Sequence, residues 1–183
     1  MSQDEVRLIE RAKEGDPAAF AEIYEQCQPA IFRYVLCRVG DTATAEDLTG
    51  EVFVRLVEKI DQFTYRGYPL LAWLYTIARN LVADHHRYTG QIPQLPLDER
   101  MVTSTSDPEG AVELKLTQGK LIAAIAQLTE SQQQVIILRF LEGLDNKTVA
   151  HILGKSVGAV KALQHRGLAA LRRTLKRRGM QIE

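Results

Sequence analysis

Apolar residues recur along this chain at intervals of three and four, the spacing of one face of an α-helix. Leu48, Val52, Leu56 and Ile60 form one such stripe. It predicts a helix with Thr44, three residues before Asp47, as its capping start. Trp73, Ile77 and Leu81 repeat the spacing, and Leu74, Ala78 and Val82 widen that face. Gly15-Asp16-Pro17 reads as a break followed by a helix start, with Asp16 at the cap and Pro17 at the first helical position. No stretch alternates between turn residues as a strand would. The pattern predicts an all-α fold.

The periodicity lapses at Thr89. "TGQIPQLPLDERMVTSTSDPEG" holds three prolines, two glycines and a Ser/Thr cluster, the composition of a flexible linker. Helical spacing resumes near Ala111. The expected organisation is two small helical domains, residues 1–88 and 111–183, joined by a linker over 89–110. Each is large enough to fold alone, though marginally.

The rear domain carries the more specific pattern. Thr129 with Gln132 forms a capping box, and "VIILRFLEG" predicts a short buried helix ending at Gly143. Asp145 caps "NKTVAHIL", whose apolar positions are Val149, Ile152 and Leu153. Gly154 then suits the left-handed turn that ends a helix. Ser156 caps the next helix, with Val157, Val160, Leu163 and Leu168 expected to point inward. Ala150 stands where two steeply crossing helices tolerate only a small side chain. This is the helix-turn-helix pattern, whose second helix lies in the major groove of DNA. An αα-hairpin of no special function has the same turn spacing. What distinguishes this one is the outward face of its second helix: Lys161, Gln164, His165 and Arg166. Gly158 and Ala159 would let the backbone come close to DNA.

Charge sharpens that reading. The net charge is zero, but residues 1–60 hold 7 Lys/Arg against 12 Asp/Glu, whereas residues 121–183 hold 10 against 4. From Lys161 onward the count is 7 basic to 1 acidic, the balance that phosphates demand. An acidic front and a basic rear suggest modules with different partners, and admit a closed form in which the basic face is covered. The chain has no apolar run long enough to span a membrane and no signal-peptide pattern, so no membrane insertion and a cytoplasmic location are expected. Cys27 and Cys37 lie in an apolar-periodic segment outside any metal-ligand spacing, as reduced packing residues do. No metal or other cofactor is expected.

The front domain has a constellation of its own in "TYRGYPLLAWLYTIARNLVADHHRY", where Tyr65, Arg66, Tyr68, Trp73, Tyr75, Arg79, Arg87 and Tyr88 interleave rings and cations. Such surfaces stack and hold unpaired bases, although Trp73 also shares a core stripe with Ile77. With "AEDLTGEVFVRLVEKI", "LTESQQQVIILRFLEGLDNKTVAHILGKSVGAVKALQHR" and "AKEGDPAAFAEIYEQ" in one order, the chain resembles bacterial sigma factors of the extracytoplasmic-function (ECF) group. The likeness covers nearly everything but the linker.

The resemblance assigns expected roles. Asp47, Leu48, Glu51, Val52, Phe53 and Leu56 match the surface that docks on core RNA polymerase. Tyr65, Arg66, Trp73, Tyr75, Thr76, Arg79, Asn80 and Arg87 match the element that captures the downstream (−10) promoter strand. Asn80 falls at the pocket for a flipped-out base, and its amide can both donate and accept. The helix-turn-helix matches the reader of the upstream (−35) element, with Lys147, Lys155, Ser156, Gly158, Ala159, Lys161, Ala162, Gln164, His165 and Arg166 as its contacts. The linker would run through the polymerase. Core RNA polymerase and promoter DNA are the implied partners, and relatives are commonly held inactive by an anti-sigma factor. Three departures bear on which promoter is read: Pro69, Leu70 and Leu71 replace polar residues, Lys155 replaces an apolar turn residue, and Ala162-Leu163 replaces a Ser-Arg pair.

Two other classes compete. A free-standing helix-turn-helix regulator would bind duplex unaided and would need no docking helix. An enzyme is suggested only by "ADHHR", which resembles the Asp-His-His string of metal phosphoesterases. That string belongs at a strand end with further ligands, whereas here it ends a helix. The expectation is a non-enzymatic DNA-binding protein.

Overall fold

The computed structural model describes residues 3–90, 121 and 123–177. The expected linker and the last basic residue, Arg178, lie outside the described residues apart from Thr89 and Gly90. Every regular element among the described residues is helical.

The front domain comprises α1 (Gln3–Lys13), α2 (Pro17–Val39), α3 (Thr42–Lys59), a 3₁₀ turn (Ile60–Gln62) and α4 (Leu70–Thr89). Asp16 accepts the Ala18 amide at 2.9 Å, starting α2 as expected. The cap of α3 is Asp41 rather than Thr44: Asp41 Oδ2 accepts the Thr44 amide at 2.8 Å, so the cap stands three residues before the expected one. Helices α2, α3 and α4 pack on one another around Ile23, Ile31, Val52, Leu56, Leu74 and Val82, and α1 seals the end with Leu8, Ile9 and Ala12. On α4 the core face is Leu74, Ala78, Leu81 and Val82, while Trp73 and Ile77 are half-buried at its edge. The stripe is therefore rotated by one position from the Trp73-Ile77-Leu81 reading. Burial pushes the Cys27 thiol up to about 11 and Cys37 to about 12, so both stay protonated packing groups.

In the rear domain α5 (Glu130–Ile136) widens into a π-helical turn (Ile137–Leu141), followed by α6 (Asn146–Leu153) and α7 (Val157–Arg177). The Glu142 amide bonds to Ile137 O, five residues back. The wide turn keeps Ile137 and Leu138 inside, leaves Phe140 and Leu141 exposed, and aims Glu142 toward the front domain. Asp145 Oδ1 accepts the Thr148 amide at 2.8 Å, Gly154 takes φ +62°, and Ser156 Oγ accepts the Ala159 amide at 3.1 Å. Each feature of the helix-turn-helix is thus in place. Val160, Gly167, Leu171 and Leu175 form the buried edge of α7. Val157, expected inside, is exposed in the helix's first turn. Gly167 lets α7 and α5 touch: a Cβ there would stand 3.1 Å from Ile136 Cγ1.

The two domains pack together, α6 against α4 and the π turn against α2. Arg38, only 1% exposed, donates to Glu130 Oε1 at 2.9 Å. Glu142, whose side chain is 3% exposed, accepts from Arg33 Nη2 at 2.9 Å and from the Tyr75 hydroxyl at 2.8 Å. A buried carboxylate must find donors or lose more than it gains, and all three of these bonds cross between domains.

Candidate nucleic-acid interface

On the helix-turn-helix, the side chains expected to meet DNA stand together and open. Lys147, Lys155, Ser156, Gly158, Ala159, Lys161, Ala162, His165 and Arg166 are all exposed. Gln164 is half-buried and accepts from Arg139 Nε at 3.5 Å, so its amide is steered by a neighbour. Arg139 also donates to Leu144 O, tying the π turn to the start of α6. The face continues through Arg172, Arg173, Lys176 and Arg177, all exposed. No Asp or Glu lies on α7, so nothing on the helix neutralises this strip. The domains are closed, yet the basic face is not covered.

The second cluster spans the loop Thr64–Pro69 and α4. Tyr65, Arg66, Asn80 and Arg87 are exposed there, while Trp73, Thr76 and Arg79 are half-buried. A cleft of about 250 Å³ lies beneath the loop, walled by Gln62, Phe63, Arg66, Tyr68, Trp73 and His151. Tyr68 stacks on His151 with ring centres 3.9 Å apart. Asn80 Oδ1 accepts from Arg79 Nη2 at 3.0 Å, and Arg79 Nη1 donates to Ile152 O at 2.6 Å. Thr76 returns its hydroxyl to Ala72 O. Tyr75 is not on this surface. It is buried in α4, and its phenol is pushed far up by burial first and the Glu142 carboxylate second, so it remains a donor. Arg87 pairs with Asp84. In the "ADHHR" string, that leaves the acid with a cation as partner rather than a metal set, and among the described residues no three or more His, Cys, Asp or Glu cluster to hold an ion.

The third surface is the outer side of α3. Asp47 is exposed, Leu48 and Glu51 are half-buried, and Glu51 pairs with Arg55 at 3.0 Å. Val52, Phe53 and Leu56 are core residues that back this face rather than form it. Val54 and Val57, 50% and 55% exposed, are apolar residues on the surface instead; the exposed Tyr24 sets its ring against Phe53 at 4.7 Å. Sequence reasoning missed them, although Val54 and Val57 fall off the Leu48-Val52-Leu56 stripe and so have no core role to explain them. It also missed Arg33, Arg38, Glu130 and Glu142. The signal for the arginines is their position inside the apolar run "AIFRYVLCRV", where a charge needs a buried partner.

Comparison with known proteins decides what these surfaces belong to. Residues 23–91 match the Sigma-70 region 2 family and residues 118–171 match Sigma-70, region 4. The ECF RNA polymerase sigma factor SigW of Bacillus subtilis is 31% identical over 182 residues, covering 93% of this chain and 96% of SigW. The chain belongs to the ECF sigma factors. BldN of Streptomyces coelicolor, another ECF RNA polymerase sigma factor, is 41% identical over 93% of this chain, which spans 65% of that relative's length. Among solved structures, the sigma factor RpoE of Bartonella quintana, crystallised with the anti-sigma factor NepR, is 26% identical. It superposes with a TM-score of 0.68 over 86% of this chain and 96% of RpoE. In this sigma factor the region 2 match contains α3, the loop and α4, and the region 4 match contains the helix-turn-helix. No described helix is long and apolar enough to cross a membrane.

Proposed function

We propose that this sigma factor binds core RNA polymerase and directs it to promoters, itself catalysing nothing. The outer side of α3, with Asp47, Leu48, Glu51 and the exposed Val54 and Val57, is the docking surface. Helix α7 lies in the major groove of the upstream element. The loop and the open edge of α4, with Tyr65, Arg66, Asn80 and Arg87, trap unpaired bases of the downstream element and so favour strand opening. The observation that carries this is the sidedness of α7: one edge is packed against α5, while Lys161, Ala162, His165 and Arg166 face outward without an acid on the helix. A face of that kind gains affinity from each phosphate it neutralises, and Gln or Arg can read base edges.

The linker would pass through the polymerase between the two modules. The closed form is then a resting form: Tyr75 and Arg79 are held by the rear domain, and docking on the polymerase must separate what they bind. RpoE of Bartonella quintana was solved with an anti-sigma factor, and a partner of that kind acting on this chain is part of the proposal.

The deciding experiment is gel filtration of the full chain with bacterial core RNA polymerase at moderate salt. Co-elution that is abolished by Asp47→Lys with Glu51→Lys supports the reading. Failure to co-elute, together with tight binding of duplex DNA by the chain alone, would replace it with a free-standing regulator.

A further inference from the structure

The loop Thr64–Pro69 would have to present Tyr65 and Arg66 to a mobile single strand, so how it is held matters. It contains Gly67 at φ +87° and is exposed at Thr64, Tyr65, Arg66, Gly67 and Pro69. Both of its ends are tied to one helix, α1. At the near end, Lys13 Nζ donates to Phe63 O at 2.7 Å across fifty residues of chain. At the far end, Glu5 Oε1 accepts the Leu70 amide at 2.9 Å.

The second tie has a specific cause. Pro69 occupies the cap of α4, and a proline side chain cannot accept from the first turn. Glu5, on a different helix, supplies both the missing acceptor and a negative charge at the positive end of α4. Eight residues separate Glu5 from Lys13, two turns of helix, so both lie on one side of α1 about 12 Å apart. Leu8, Ile9 and Ala12 lie on that same side, at i+3, i+4 and i+7 from Glu5, and fix it in the core. Helix α1 is thus a rigid bar holding the two ends of the loop at a set distance. Phe63, the residue gripped by Lys13, also walls the cleft under the loop and packs on Trp73 at 5.3 Å.

We infer that Lys13 and Glu5 are positioning residues for strand capture: they pre-pay the ordering of the Tyr65-Arg66 loop without touching DNA themselves. The inference rests on the assignment of that loop to the downstream strand. A loop released at either end must be ordered by the DNA itself, and binding is weakened by that cost.

The test uses holoenzyme reconstituted from the full chain and bacterial core polymerase. The probe is a fork-junction DNA pool with a randomised single-stranded segment. Lys13→Met and Glu5→Met should each lower affinity for the forked pool by about tenfold, the size of one lost hydrogen bond to a charged group. Lys13→Arg should retain most of it, and co-elution with core should be unchanged in all three. Amide hydrogen exchange over residues 64–69 should speed up in Lys13→Met and not in Lys13→Arg. If Arg66→Ala weakens the forked pool but Lys13→Met does not, the positioning role is wrong and the loop assignment stands. If Lys13→Met weakens core binding in parallel, the tie is merely structural and the inference fails. If Arg66→Ala has no effect, the loop assignment falls and takes the inference with it.

Discussion

The two surfaces proposed to meet DNA differ in what occupies them within the protein. On α7 the outward residues are open apart from Gln164, which Arg139 holds. On α4 the corresponding edge is partly spoken for: Arg79 donates to the Ile152 carbonyl and Tyr68 lies flat on His151, while Tyr75, buried behind that edge, donates to Glu142. Duplex backbone can be met by a rigid face that changes nothing on binding. Unpaired strand has to compete with the rear domain for the same groups. Closing the domains therefore taxes one kind of DNA binding and leaves the other free.

The largest effect should come from removing what holds the closed form. Glu142→Arg replaces a buried acceptor of two front-domain donors, Arg33 and Tyr75, with a second cation beside Arg33. Glu142 is buried but Arg33 is half exposed, so the cost falls below the roughly 3–5 kcal/mol of breaking a fully buried pair. The radius of gyration from small-angle scattering should rise, single-strand binding through α4 should strengthen, and duplex binding through α7 should stay as it was. An unchanged radius would mean that Glu142 does not hold the domains together.

Gly167→Ala attacks the opposite surface from behind. The added methyl meets Ile136 Cγ1 and Cδ1 at 3.1 and 3.2 Å, and overpacking of this kind costs about 1–3 kcal/mol. Thermal unfolding of the rear domain should fall and carry upstream duplex affinity with it, while the front-domain contacts persist. Arg166→Ala should instead leave stability alone. Its guanidinium reaches only its own helix at Ala162 O, so the expected change is a salt slope for duplex binding shallower by about 1.

How much of this was legible in the sequence follows from how far each signal reaches. Asp145, Gly154 and Ser156 act on backbone within three residues, so the helix-turn-helix and its open face could be read directly. Arg38 and Glu130 are 92 residues apart, and Arg33 and Glu142 are 109 apart. A charge in an apolar run announces a partner but not which one. That is why the segregated charges admitted a closed form with the basic face covered but could not say which surface closes. Tyr75 shows the same limit. Ring-and-cation interleaving is equally consistent with a base platform and with a buried donor, and only the α4 rotation distinguishes them. The stripe itself was ambiguous because Trp73-Ile77-Leu81 and Leu74-Ala78-Val82 are both helical, one position apart.

Acid should act on the closed form weakly and in a defined direction. His86 is held below its ordinary value of 6.5, by burial first and by the nearby Arg38 second. A depressed histidine binds fewer protons folded than unfolded, so its contribution is present above pH 6.5 and is lost as pH falls through the lower folded value. The melting temperature should drop on acidification from about pH 7 to pH 5, and His86→Gln should flatten that dependence. An equal slope in both proteins would assign the acid sensitivity to other groups.

The smallest change makes the finest distinction. Gly158 and Gly167 share α7, but a Cβ at Gly158 has only Ser156 Oγ nearby, at 4.0 Å. Gly158→Ala should therefore stabilise the helix by about 0.5–1 kcal/mol, through the backbone freedom that glycine would otherwise lose. Nothing in the protein opposes the methyl, so any loss of duplex affinity must come from DNA approaching the backbone at that point. A variant that melts higher yet binds upstream duplex less tightly would place the groove wall against the first turn of α7. Equal affinity would move the closest approach toward Lys161 and His165, and would make Gly158 a residue of convenience rather than of recognition.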